Sequence, residues 1–441
     1  MPADQQFLNA LTDLWNIPAP GPKNILSIPE FGALNELCAQ RYSDGKITIG
    51  GKFALGRALR SLGLPCWQAP NTNCQSLDLQ SVADSLVDAF SRKTVIRRHI
   101  CPLDLAVNFP SVSFGNARIE NFTKEGLEGL FDSRKLALWF PTLPFESEKL
   151  AQFNWLVVEE EITVHLDNGV RTFPFFPDES DIDRGDIEPH AGRVPKAVED
   201  ALFFILQLPW EQWEASASID WRGFRMPWVY TQDDDLFVFP SPPPRPESLS
   251  FEPAIYEDEN GEEIETERPI TLWLAASEVT EIKSLTHEAW QKLRNARTTE
   301  LFETPVVHFL VRAFLANGID EFMAHLIVIE AAFGIHGDPK LDLLKKMRIK
   351  PSLHVAFRLS AALGENVVCD YDDLFKLRSR FIHGRSGLEP ISLHKRILAR
   401  RLARLASCKL VSLALTDNRR REKILRDLLS KGINNFHSEL K

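Results

Sequence analysis

The chain has 441 residues, 44% of them hydrophobic and 25% charged, with a formal net charge of −10. That length predicts two to three domains, and that balance excludes a wholly disordered chain, a collagen-like fibre and a low-complexity fibre. No apolar run approaches the roughly 18 residues of a membrane span, and the six scattered cysteines form no CxxC pair, which excludes a disulfide scaffold and a cysteine-based zinc site.

The N-terminal MPADQQFLNALTDLWN has no basic segment leading into an apolar core, so no secretory leader is expected and the expected compartment is a reducing cytoplasm. In ITIGGKFALGRALRSLG (47–63), Gly50, Gly51 and Gly56 read as a turn ahead of an amphipathic helix, because the full nucleotide-binding fingerprint is missing. Ser81–Arg92 and Pro195–Leu206 carry helical spacing. LALWF (136–140), FNWLVVEEEITVHLD (153–167) and LFVF (236–239) have the β-branched and aromatic character of strands. An α+β N-terminal domain over residues 1–272 follows from this mixture. Its end, about residues 227–271, reads as a surface linker: seven prolines fall from Pro227 to Pro253, and seven acids crowd Glu257 to Glu267. Proline removes backbone donors and like charges repel, so neither run readily continues a helix or a central strand.

Residues 273–441 read as an all-α bundle. Helices are expected over Val279–Arg297, over Pro305–Ala316, from a cap at Asp320 to Gly334, over Lys340–Arg348 and from Pro351 to Gly364. A further helix starts from a cap at Asp370 and stops at Gly384, followed by Ser392–Leu415 and Arg419–Lys431. Charge divides the same way. Residues 281–441 hold 28 Lys+Arg against 18 Asp+Glu, whereas the first 280 hold 23 against 43. Two modules with different partners are expected, the basic one facing a polyanion or the acidic module itself.

An arginine followed after four to six residues by a histidine occurs four times: Arg92–His99, Arg184–His190, Arg348–His354 and Arg378–His383. Spacing cannot choose among them. On a helical wheel, Arg378 falls inside the apolar arc of Leu374, Phe375, Leu377, Phe381 and Ile382, about 40° from Leu374. A guanidinium on a packing face is costly unless it is paired or faces a cleft. One reading is an arginine snorkelling to an acid such as Asp373, with a helix-terminal histidine favoured by the dipole. The other is a catalytic pair.

The wider stretch, AHLIVIEAAFG, PSLHVAFRLSAALG and YDDLFKLRSRFIHGRSG, resembles the Apea-like branch of the HEPN superfamily over about residues 304–409. The resemblance implies a four- to five-helix HEPN-like bundle that pairs with a second copy. It further implies a metal-independent endoribonuclease of an antiphage or growth-arrest system, with Arg378 and His383 in the positions of the catalytic pair. Glu330 stands where the family has a glutamate, and reaches either Arg378 or another basic residue of the bundle. Ser379 follows the arginine where active members often have Asn, Asp or His. RNA, whether tRNA or mRNA, is the implied substrate; a homodimer through the helical domain, with a phage-derived trigger or an antitoxin, are the implied partners. A non-catalytic module binding RNA or protein is the alternative.

Arg380 and Arg385 flank the motif, and Arg396, Arg400 and Arg404 repeat at i, i+4, i+8 beyond it. Such a row either neutralises phosphates or is the solvated face of an amphipathic helix. His99, His165 and His190 have no cysteine or histidine neighbour at metal spacing, so neither metal nor cofactor is expected.

Overall fold

The computed structural model describes residues 5–19, 21, 24–68, 78–173, 194–213, 222–257, 263–335, 351–384 and 390–439. The chain forms two compact units, each gathered from separated segments: residues 1–102, 121–187 and 227–269 in the first, and 103–120, 188–226 and 270–441 in the second.

In the first unit, helices Gln5–Trp15, Pro29–Tyr42, Ile49–Ser61 and Leu79–Ser91 surround one core. Phe7, Leu11 and Leu14 recur one helical turn apart, so a single stripe of the first helix is buried. Side-chain oxygens start the last two of these helices, with Thr48 accepting from the Gly51 N–H and Asp78 from the Ser81 N–H. Gly50 and Gly51 therefore lie within the first turn of a helix rather than in a turn preceding it.

A second core in this unit is built on an antiparallel pair. Strand Thr94–Leu103 runs beside Tyr230–Asp233 with Arg97 opposite Asp233, an ion pair of 2.7 Å, and is flanked on its other edge by Asn154–Thr163. Ile100, Trp155, Val157 and Tyr230 bury one face against Leu127 and Phe131.

Two expectations fail in this unit. LALWF belongs to helix Ser133–Trp139, not to a strand: Asp132, at φ 50°, accepts from the Lys135 N–H and starts a helical turn that a short apolar run cannot exclude. LFVF is a turn, because the Asp235 carboxylate accepts from the Phe237 N–H and directs that ring 4.7 Å from Phe90 in the helical core. The proline-rich and acidic stretch carries a hairpin, Phe251–Glu257 against Glu263–Pro269. Its acids face solvent on both strands, where repulsion is screened, and Arg268 pairs with Glu252 at 2.7 Å.

In the second unit a hairpin joins Val112–Phe114 to Ala117–Asn121 through Gly115, and Leu105–Val107 runs parallel to Thr271–Trp273. Gly115 sits at φ 56°, and the Trp290 indole occupies the space a Cβ would need. Gly115→Ala is accordingly expected to destabilise the chain by about 1–3 kcal/mol, read as a lower urea midpoint with an unchanged m-value.

The rest of this unit is helical. Val279–Arg297 resolves into Ala276–Ile282 and His287–Arg297, the second started by the Thr286 hydroxyl accepting from the Ala289 N–H. Asp320 and Asp370 lie inside the first turns of Gly318–Phe333 and Val368–Ile382 rather than at their caps. Gly364 and Gly384 do end their helices in the left-handed region, at φ 78° and 59°. Ser392 caps Leu393–Thr416, and Arg421–Glu439 packs on Pro351–Leu363. The expected Lys340–Arg348 helix lies outside the described residues. Gly318–Phe333 packs against both Val306–Leu315 and Leu393–Thr416, and is covered on nearly every face. That position forces any charge it carries to find a partner inside the unit.

Candidate functional site

Helix Val368–Ile382 carries Tyr371, Leu374 and Arg378 on one face, since seven residues return within about 20°. Arg378 Nη1 donates to Glu330 Oε1 at 2.5 Å, joining this helix to Gly318–Phe333. Its guanidinium also lies 5.8 Å from the Phe375 ring centre. The two ion-paired side chains keep 23% and 28% of their surface, so the bridge contributes little stability and chiefly fixes direction. Arg378 Nε is buried and has no hydrogen-bond partner among the described residues.

Burial pushes the Glu330 carboxyl above its ordinary range, and the Arg378 charge opposes that rise. Tyr371, buried beside them, is pushed far up by the same desolvation and then by the Glu330 charge. Its hydroxyl also lacks a partner among the described residues. Sequence reasoning passed over Tyr371. The signal was present, two helical turns before Arg378 on the same face.

His383 is the residue that ends the helix. It is exposed, and its backbone N–H donates to the Ser379 carbonyl at 3.1 Å before Gly384 turns the chain away. No hydrogen bond joins its ring to Arg378 or to any other described side chain. Ser379 is half-buried and Arg380 exposed, while Arg385 lies outside the described residues. Asp373 does not serve Arg378. Its carboxylate meets Lys395 at 3.3 Å and Lys376 at 3.8 Å.

The basic row turns inward. Arg396 and Arg400 both donate to Glu321, at 2.6 and 2.5 Å, and Arg222 meets the same carboxylate at 3.1 Å. Arg404 makes a two-pronged contact with Glu211 at 2.6 and 3.0 Å. Arg400 and Arg404 retain 7% and 9% of their surface, so these three arginines form neither an exposed phosphate-binding stripe nor a solvated face. Helical spacing put them on one face correctly; the Leu393–Thr416 helix is covered on that face as well. Arg358, inside the FRLSAALG segment, is fully buried and donates to the Phe333 and Leu425 carbonyls at 3.1 and 3.0 Å, tying three helices together.

The other arginine–histidine spacings fare differently. Arg92 bonds Asp88 and Asp234, while His99 is buried between Thr231 and Glu160 at 2.8 Å each, so both are structural. Arg184, His190 and Arg348 lie outside the described residues. Among the described residues no three His, Cys, Asp or Glu side chains gather where they could hold a metal ion, and no helix is long and apolar enough to cross a membrane. No protein-family model matches the chain, and neither does any curated protein or solved structure.

Proposed function

We propose that this protein is a cytoplasmic, metal-independent endoribonuclease of the HEPN type, acting in prokaryotic antiphage defence or growth arrest. Two copies pair through the helical region, and each contributes Arg378 and His383. The observation that carries the reading is the placement of Arg378 on a helix face, directed by Glu330, shortly before an exposed histidine at the helix end.

The chemistry follows from the residue types. One imidazole takes the proton from the ribose 2′-hydroxyl as that oxygen attacks phosphorus. The other gives a proton to the departing 5′-oxygen, so a 2′,3′-cyclic phosphate and a free 5′-hydroxyl result. Imidazole suits both ends because its ordinary pKa lies near neutrality. Arg378 offers permanent planar donors to the phosphorane oxygens, where charge accumulates. Phosphate contacts in this reading come from Arg380 and Arg385, since Arg396, Arg400 and Arg404 are engaged by carboxylates.

The second reading, a non-catalytic platform, draws on that same engagement of the basic row, which leaves less charge for a polyanion and so favours a second copy or an antitoxin over RNA as what it holds. Purified protein incubated with total tRNA and with mRNA in EDTA separates the two. Cleavage leaving cyclic phosphate ends is expected; intact RNA from a dimeric protein with and without phage-infected lysate would favour the platform.

A further inference from the structure

In the first unit, helix Ile49–Ser61 buries Ala54, Leu55, Ala58 and Leu59 and leaves its opposite face in solvent. Ile49, Phe53 and Arg57 follow at one-turn spacing on that face, and Ile47 stands just before the helix. Ile47, Ile49 and Phe53 keep 56, 64 and 43% of their surface. Lys46, Lys52 and Arg57 are interleaved with them in the sequence, and none of these cations forms an ion pair with a described residue. We propose that this basic, apolar face docks the acidic hairpin of a second copy, formed by Phe251–Glu257 and Glu263–Pro269.

The hairpin answers that face in both charge and polarity. Ile255 lies opposite Glu265 and Glu257 opposite Glu263, so alternation puts all four on one side of the two strands. That side is exposed along its length, and Ile255 alone keeps 66% of its surface. Glu257, Glu263 and Glu265 form no ion pair with a described residue, whereas Glu252 and Glu267, nearer the base, are met by Arg268 and Lys149. The reverse side is also open at its outer end, where Tyr256 and Ile264 sit opposite each other and are more than half exposed. Two strands without further cover are marginal in water, so a partner on the open side would stabilise the hairpin. In the proposed contact Ile255 packs on Ile49 and Phe53. The three unmet glutamates meet Lys46, Lys52 and Arg57, giving opposite potentials across the interface.

A second copy is the fitting occupant because every chain carries both halves of the match. They belong to one compact unit and both are exposed, so neither covers the other within a chain. A head-to-tail contact of this kind closes into a ring or continues as an open chain. So few side chains place it among small, transient interfaces that bury less than about 1,200 Å². It is distinct from pairing through the helical region and does not rest on the nuclease reading.

Sedimentation velocity of the full-length chain over a concentration series, at low and at high salt, tests the contact. The wild-type chain is expected to gain mass with concentration and to lose most of that gain at high salt, where exposed charges are screened. One variant reverses the helix face with Lys46→Glu, Lys52→Glu and Arg57→Glu; another reverses the hairpin with Glu257→Lys, Glu263→Lys and Glu265→Lys. Each is expected to associate at least about tenfold more weakly than wild type, because like charges then face each other. Mixing the two variants is expected to restore association, since each offers the charge the other's surface now requires. None of the six side chains is buried, so circular dichroism should match wild type. A wild-type mass that stays constant with concentration, as monomer or as helical-region dimer, would overturn the proposal without reference to any variant. Reversed chains that associate as wild type does, or that mix without effect, would overturn it as well. Constant mass together with binding to vesicles of anionic phospholipid, lost in the helix-face variant, would assign the face to a membrane surface instead.

Discussion

His383→Ala is expected to slow RNA cleavage by about 10²–10⁴-fold, the usual contribution of a general acid–base group. Arg378→Ala is expected to cost about 10²–10³-fold, as the loss of one donor to a developing oxyanion does. The first variant is the cleaner test. His383 is exposed at a helix end and bonds no described side chain, so its removal should leave stability within about 0.5 kcal/mol and any loss of rate is chemical. Arg378→Lys is not expected to rescue, because an ammonium cannot both meet Glu330 and present a second, coplanar donor. Glu330→Gln probes positioning alone. It leaves both catalytic groups in place, and about a tenfold fall in kcat with unchanged KM is expected, smaller than either catalytic loss. Single-turnover cleavage alongside circular dichroism measures all four. Wild-type rates from His383→Ala would remove the nuclease assignment.

The fold and the site were legible in the sequence to different depths, and for a common reason. Periodicity reports which residues share a face; it does not report what covers that face. A helix over Ser392–Leu415 was legible and its arginines fall together, yet their burial under Glu321 and Glu211 depended on segments far away in sequence. One hint existed. Glu321 opens an apolar stretch, and an acid among buried neighbours calls for a cation. The same limit explains LALWF, whose five apolar letters fit strand and helix equally until Asp132 caps it. LFVF failed because three consecutive aspartates bond main-chain and side-chain donors in place of a continuing ladder. By contrast, the Arg378–Glu330 pairing was accessible, since each charge lay on an apolar helix face and few partners of opposite sign were at hand.

The largest stability effect is expected at Glu321. This carboxylate is fully buried and is shared by Arg222, Arg396 and Arg400, which come from one loop and one helix. Glu321→Ala removes the anion and leaves the guanidiniums it gathered inside the unit. Breaking a buried pair from one side costs about 3–5 kcal/mol, a large part of a total stability of about 5–15 kcal/mol. For a unit of this size each kcal/mol lowers the melting temperature by about 2–4 °C, so a fall of about 6–20 °C is expected. The pH dependence has a definite sign. Burial raises the Glu321 pKa, but the hydrogen bond and charge of Arg400, with Arg396, outweigh it and hold the carboxyl below its ordinary range. A depressed folded pKa means that the stabilisation is complete above the unfolded value of about 4.3 and is lost as pH falls through the folded one. The wild-type chain should therefore lose stability more steeply on acidification below about pH 4 than Glu321→Gln, which has no proton to take up. A chain in which Glu321, Arg222, Arg396 and Arg400 are all replaced by methionine should recover much of the loss, because what is costly is the orphaned charge and not the missing bridge. Urea unfolding of the four chains between pH 3 and 7 measures this, and parallel curves for wild type and Glu321→Gln would reject the assignment of that acid to the folded core's electrostatics.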